Sequence, residues 1–239
     1  MSALPHEIQQ LLHLANVYLL TDTNGDKWLI DSGYRLEWWR LEGALRKIGV
    51  KPSELAGLLL THRHSDHAGN ARYLQRKYGV RLYAHRADAE ILAGRATRGR
   101  LRRQNPSIIA GVFGVIENRW PAPLVEVDEL LDDGDLVGEL EVHWVPGHTE
   151  GSIFLHHRPT GSLFTGDNLI TAHPPLVVRP GLCLTYASFT VDMDQAKASV
   201  AAFFAKKLPY KHVFPGHGKP LANVEEEVRR FLVSALPSP

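Results

Sequence analysis

The stretch Thr61-His62-Arg63-His64-Ser65-Asp66-His67-Ala68-Gly69-Asn70 limits what this chain can fold into more than any other, because it directly follows the apolar run Gly57-Leu58-Leu59-Leu60. Three imidazoles and a carboxylate within six residues, at the end of a strand-like run, carry more lone pairs than a strand end can satisfy by itself. A divalent metal ion supplies the missing partner. Imidazole combined with carboxylate suits zinc, iron or manganese, whereas magnesium and calcium sites are dominated by oxygen. The spacing predicts a strand over 57–61, a helix over 68–78 and a connecting loop over 62–67. In such a loop His62 and His64 can face one ion while Asp66 and His67 turn toward another.

A chain of 239 residues that is 44% hydrophobic can bury a sizeable core, and we expect a single domain over 1–239. The formal net charge of +1 gives the whole molecule no pull toward nucleic acid or membrane. One cysteine, Cys183, excludes an internal disulfide and a thiolate cluster and fits a reducing compartment. The apolar stretch from Leu11 to Leu20 is interrupted by His13 and Asn16 and has no basic region before it, so it reads as neither a signal peptide nor a span. A cytoplasmic location is the expectation.

Asn16 to Thr21 and Lys27 to Asp31 read as two strands around Asn24-Gly25, a pair that accepts positive φ and signals a hairpin. Trp38, Leu41, Leu45 and Ile48 recur at helical spacing over 36–48, and Gly49 stands where a helix-ending glycine belongs. We read the tryptophans here as core and rim aromatics. Residues 80–85 form another short strand. The rhythm then breaks over about 86–120, which reads as a helical or lid-like insert. It carries five arginines between Arg95 and Arg103 and a glycine-punctuated apolar run over 108–116. It is either a solvated face or a cover over the substrate pocket, with Arg98, Arg100, Arg102 and Arg103 as candidate substrate-binding residues.

Alternation resumes at Leu140 to Val145, followed by a hairpin of 152–157 with 162–165 around Pro159-Thr160-Gly161. Residues 27–33 and 161–167 both complete a hairpin and end in an aspartate and a glycine, which hints at two similar halves. A proline-rich loop is expected over 174–180, and Asp192 caps a helix with Gln195 three residues on. A strand over 211–214 and a helix over about 223–235 complete the chain. The 62–67 motif, His148, Asp167 and His217 each stand just past a strand, on a short loop with glycine beside it. In α/β layers such strand ends converge on one site.

With these residues in hand, the chain resembles the metallo-β-lactamase superfamily over nearly its whole length. His62, His64, Asp66 and His67 match that family's His-x-His-x-Asp-His motif, and His148, Asp167 and His217 match its later ligands. The resemblance implies an α/β fold, a four-layer αββα sandwich of two similar halves. It also implies one metal on His62, His64 and His148, a second on Asp66, His67 and His217, and Asp167 bridging the two. The other eight histidines receive no role. Asp31 lies near the same edge, either behind the ligands or as an ordinary turn aspartate.

Two ions, zinc first and iron or manganese as alternatives, with a shared hydroxide imply hydrolysis of an ester, thioester or lactone of a small molecule, and Asp66 would orient the hydroxide. A mononuclear iron persulfide dioxygenase and a metal-dependent phosphodiesterase are the alternatives. True β-lactamases with a second zinc commonly carry cysteine at the position matched by Asp167, so antibiotic hydrolysis is not expected. All seven ligands are similar to those of glyoxalase II, whose long helical segment after the last histidine contrasts with the 22 residues that follow His217. Lactonases tend to place a tyrosine soon after the bridging aspartate. Here Tyr186 stands farther on and is a candidate substrate contact. We expect no membrane or nucleic-acid partner and allow for a homodimer.

Overall fold

The computed structural model describes residues 4–101, 115, 117–173 and 177–235. Arg102, Arg103 and most of the apolar run over 108–116 lie outside them.

Alternating side chains build the first sheet. In β2 (Asn16–Thr21), Val17 and Leu19 join one buried cluster while Tyr18 and Leu20 join another, so the strand is covered on both faces. The sheet runs in the order β1 (Ile8–His13), β2, β3 (Lys27–Ile30), β4 (Leu55–Leu59), β5 (Leu82–His85) and β6 (Glu129–Leu131). Its first two pairings are antiparallel and the rest parallel. The β2–β3 hairpin turns at Gly25, whose φ is 86°. Asp22 braces it by accepting hydrogen bonds from the amides of Asn24 and Asp26 and from the Trp28 indole.

The second sheet contains β7 (Leu136–Val137), β8 (Leu140–Trp144), β9 (Ile153–His157), β10 (Ser162–Gly166), β13 (His212–Pro215) and β14 (Leu221–Ala222), and runs in the order β14-β13-β10-β9-β8-β7. The two sheets pack face to face through Tyr18, Leu20, Ile30 and Leu59 on one side and Val142, Leu155, Phe164 and Phe214 on the other. Full burial of one such side chain contributes about 1.5–3 kcal/mol. On the outer face of the first sheet, Leu29 and Leu58 pack with Leu41 and Leu45 of α1 (Trp38–Lys47), Leu74 of α2 (Ala71–Tyr78) and Ala89 of α3 (Arg86–Leu92). On the outer face of the second, Phe154 and Val213 pack with Val200 and Phe203 of α4 (Met193–Ala205) and Phe231 of α5 (Glu225–Ala235). The result is the expected αββα sandwich. The halves are alike at the expected place, since β3 and β10 each close a hairpin and pair on the other side with a parallel strand.

Two features depart from the sequence reading. The break in rhythm starts later than residue 86, because α3 follows β5 at once and packs Ala89 and Leu92 into the outer cluster. The segment expected as a proline-rich loop holds β12 (Val177–Cys183), paired antiparallel with β11 (Ile170–His173). Pro180 is tolerated there because β11 and β12 form a ribbon of two strands whose register slips between Ile170 and Ala172, so fewer ladder bonds are required of the chain. Trp38, read as one of the core and rim aromatics, is 41% exposed at the rim, its ring tilted 43° to that of Tyr73 with centroids 5.3 Å apart. Among the described residues no helix is long and apolar enough to cross a membrane.

Candidate metal centre

Four strand ends open onto one edge of the sandwich. The loop after β4 delivers His62, His64, Asp66 and His67, and β8, β10 and β13 run out into His148, Asp167 and His217. The side chains form two groups. In each, one ligand atom per residue lies within 4.8 Å of the others, His62, His64 and His148 in the first and Asp66, His67, Asp167 and His217 in the second. The rings of the first group form a near-equilateral triangle, with centroids 4.6–4.9 Å apart. Asp167 reaches toward both groups. Its Oδ1 lies 3.3 Å from His67 Nε2, and its Oδ2 lies 3.3 Å from His217 Nε2 and 3.8 Å from His148 Nε2.

Hydrogen bonds behind the rings decide which nitrogen faces the centre. Thr61 Oγ1 donates to Asp31 Oδ2 (2.7 Å), so it accepts from His62 Nδ1 (3.1 Å). Thr190 Oγ1 donates to the Tyr186 carbonyl (3.1 Å) and therefore accepts from His148 Nδ1 (3.3 Å). His67 Nδ1 donates to Asp31 Oδ2 (2.7 Å), and His217 Nδ1 donates to the Leu14 carbonyl (2.9 Å). All four rings thus aim Nε2 inward. The bare Nε2 atoms of His62 and His148 stand only 3.2 Å apart, lone pair to lone pair. That spacing is close to the ~3.3 Å between ligands of a tetrahedral ion with bonds of about 2.0–2.1 Å. His64 Nε2, His67 Nε2 and Asp167 Oδ1 are buried without a hydrogen-bond partner. A buried polar group left so costs about 1–3 kcal/mol. The donor set fits two divalent cations.

Electrostatics split the groups. Burial, helped by the neighbouring rings, pushes His62 and His64 well below the ordinary imidazole range, and burial pushes His148 down to about 4. Burial also opposes charge on His67 and His217, but the carboxylates win. Asp66, Asp167 and Asp31 hold His67 well above its ordinary value, and Asp167 and Asp66 hold His217 at about 10. Against their own burial, Asp66 is lowered by His67 and His217, and Asp167 lies well below the usual carboxylate range beside the same two rings.

The metallo-beta-lactamase superfamily model matches residues 12–217, a span that contains every residue of both groups. The chain belongs to that superfamily. Among its relatives is a Bacillus subtilis (strain 168) protein named "Probable metallo-hydrolase YybB", 24% identical over 212 residues, or 87% of this chain and 83% of that protein. The hydroxyacylglutathione hydrolase of Gloeobacter violaceus is 34% identical over 131 residues, which span 53% of this chain and 38% of that protein. The crystal structure of TTHA1623 in a di-iron-bound form superposes with a TM-score of 0.62 at 23% identity, over 96% of this chain and 98% of that one, and shows the shared fold.

Around this superfamily core stand residues that the sequence did not single out. Asp88 ties two of the loops together, accepting from the Arg63 amide (2.9 Å), Thr149 Oγ1 (2.7 Å) and the Gly151 amide (2.8 Å), and burial pushes it up to about 6. Its sequence signal was only an acid in the first turn of a helix. Glu117 accepts from the amide and hydroxyl of Ser65 and is pushed up to about 7, chiefly by burial. Tyr34 feels Asp66 first, then burial and Asp167, and its phenol is held protonated. Asp31, left open by sequence, stands behind the ligands and carries both Thr61 and His67.

The candidate substrate contacts fare differently. Arg98 is half-buried and donates to the carbonyls of Glu117 and Asn118, so it braces the insert. Arg100 is exposed. The hydrogen bond that links Tyr186 to the centre uses its backbone carbonyl, through Thr190.

Asp31→Asn is expected to lower metal affinity at the second group by about 10–100-fold, because an amide cannot accept from Thr61 Oγ1 and His67 Nδ1 as the carboxylate does. Equilibrium dialysis with metal analysis checks this.

Proposed function

We propose that this chain is a dinuclear metal-dependent hydrolase, zinc the best-fitting ion, that cleaves an ester, thioester or lactone bond of a small molecule. The observation that carries the reading is Asp167, which lies 3.3 Å from His67 and from His217 of the second group and 3.8 Å from His148 of the first. His62, His64 and His148 would hold one ion, Asp66, His67 and His217 the other, with Asp167 shared. Ions so held supply acidity, lowering the pKa of a water from about 15.7 toward about 7, and they polarise a carbonyl.

The chain's own residues do the rest. Asp66, kept ionised by His67 and His217, aligns the O–H of the attacking water and accepts its hydrogen bond. Asp31, Thr190 and the Leu14 carbonyl keep three rings in one tautomer, so Nε2 stays available. The protonated Tyr34 phenol offers a donor beside Asp66 and Asp167. The named activity of the Gloeobacter violaceus relative supports a thioester among the three bond types. A cytoplasmic setting suits the lone thiol, Cys183.

A panel of thioesters, lactones and phosphodiesters, assayed with the bound metal quantified, tests the proposal. Two zinc at the strand-end centre with turnover of a carboxylic ester or thioester supports it, whereas one iron there with oxygen uptake would replace it.

Metal uptake carries its own pH signature. His148, pushed down to about 4, and His62 and His64, held well below the ordinary imidazole range, are neutral near neutral pH, so loading of their group should be flat from pH 6 to 9. His217 stays protonated up to about 10, and His67 is raised as well, so the second group must lose protons to bind. Its affinity should therefore rise with pH, about tenfold per unit for each proton released. Dialysis against limiting zinc should leave the strand-end centre with one equivalent at pH 6 and with two at pH 8.5. Parallel loading of both equivalents at every pH would contradict this order.

A further inference from the structure

The outer face of the second sheet carries a polar cluster under α4 that the proposed centre does not use. The register places Glu141 of β8 opposite His156 of β9, and His143 lies two residues along β8 on the same face. Each of the three offers a ligand atom within 4.8 Å of the other two. The surroundings are those of a core. His143 is 3% exposed and His156 2%, and Phe203 of α4 packs its ring 5.1 Å from that of His143.

Two atoms in this cluster are buried with nothing to bind, His143 Nε2 and His156 Nδ1. His156 shows why its orphan is an acceptor. Its Nε2 lies 3.0 Å from the Pro209 carbonyl and must donate there, so the proton sits on Nε2 and Nδ1 is a bare lone pair. A backbone carbonyl that fixes the tautomer of a ring is what metal-bound histidines ordinarily have behind them. His143 Nε2 lies 3.7 Å from Glu141 Oε2, a few tenths of an ångström beyond the ~3.3–3.5 Å separating two ligands of one tetrahedral ion. Arg158 meets Glu141 at Oε2, where Nε donates a hydrogen bond at 2.8 Å and the terminal nitrogen makes an ion-pair contact at 2.7 Å. Oε1 takes no part in that ion pair. Had packing been the sole requirement, apolar rings at 143 and 156 would serve without two orphaned nitrogens, each costing about 1–3 kcal/mol.

We propose that Glu141, His143 and His156 form a third divalent-metal site, with the zinc-type ligand set of two imidazoles and one carboxylate, that pins β8 and β9 to the loop after α4. The link to that loop is direct, since Pro209 lies four residues beyond the end of α4 and holds His156. An ion there would be structural, remote from the strand-end edge where the other ligands converge. Arg158 is 60% exposed at its side chain and competes with the ion for Glu141.

The test is a count of zinc per folded chain after dialysis against buffered zinc, in wild type and in Glu141→Gln, His143→Gln and His156→Gln. Each variant is expected to bind one equivalent fewer than wild type, whatever the total held at the strand-end centre, so failure of the hydrolase reading leaves this comparison intact. Glu141→Gln is nearly isosteric and removes no buried ring, so it keeps the test available should a histidine variant not fold. Arg158→Ala is expected to tighten the same equivalent by about tenfold, because it frees the carboxylate from a competing cation. A merely structural ion pair would not produce that gain. Equal zinc content in wild type and all three variants would overturn the proposal, as would an unchanged or weakened zinc affinity in Arg158→Ala.

Discussion

Asp167→Ala is expected to lower turnover by at least about a thousandfold, the equivalent of about 4 kcal/mol of lost transition-state stabilisation, and to release one or both ions while the sandwich stays folded. The substitution removes a carboxylate that faces both ligand groups, at 3.3 Å from His67 and His217 and 3.8 Å from His148. Two divalent ions about 3.5–4 Å apart would then face each other unscreened. Thr185 also loses little, since its hydroxyl bonds the backbone carbonyl of residue 167. Metal analysis beside circular dichroism separates loss of ions from loss of fold. Survival of both metal content and turnover would remove the dinuclear reading.

The second large effect is expected from one methyl group. A Cβ on Gly216 would stand 2.1 Å from Asp167 Oδ1, 2.8 Å from His67 Cε1 and 2.9 Å from the backbone carbon of Gly166. The side-chain oxygen could rotate away, but the backbone of residue 166 cannot without parting β10 from β13, whose ends are joined by the Gly216 amide bonding the Gly166 carbonyl at 2.7 Å. Gly216→Ala should therefore empty the second ligand group and destabilise the protein by about 1–3 kcal/mol. Gly43→Ala is the matched control. It lies inside α1, where an added Cβ meets only the end of Arg46 at 4.0 Å, and it should gain about 0.5–1 kcal/mol from helix propensity. Thermal denaturation with and without added zinc reads both effects.

How much of this was legible beforehand depended on whether local pattern or register carried the information. The ligand residues stood out because each polar side chain interrupted an apolar strand end beside a glycine, and local sequence contains that contrast. The hairpins and the longer helices declared themselves through period and caps, as at Asn24-Gly25 and Asp192. Strands of two or three residues, such as β6, β7 and β14, have no period to read. Asp31 could not be told from a turn aspartate, because the amide and ring it holds come from 30 and 36 residues away. Asp88 and Glu117 were invisible for a related reason. An acid at the start of a helix complements the dipole in any protein, and only the tertiary fold shows that Asp88 binds two loops instead. His143 and His156 passed as ordinary alternation, since their proximity exists only once β8 and β9 are paired.

The ligands are divided between the two halves of the sandwich. His62, His64, Asp66 and His67 hang from the first sheet, and His148, Asp167 and His217 hang from the second, so each group draws on both. An ion in either position is consequently a rivet through the seam, and the free energy of opening the sandwich includes the free energy of unloading it. By mass action that contribution grows with the free metal concentration and reaches about 2.7 kcal/mol per site at a hundredfold excess over the dissociation constant. Metal starvation would then thin out the molecules themselves, through proteolysis of opened chains, and the amount of protein in a cell would become a record of its metal supply.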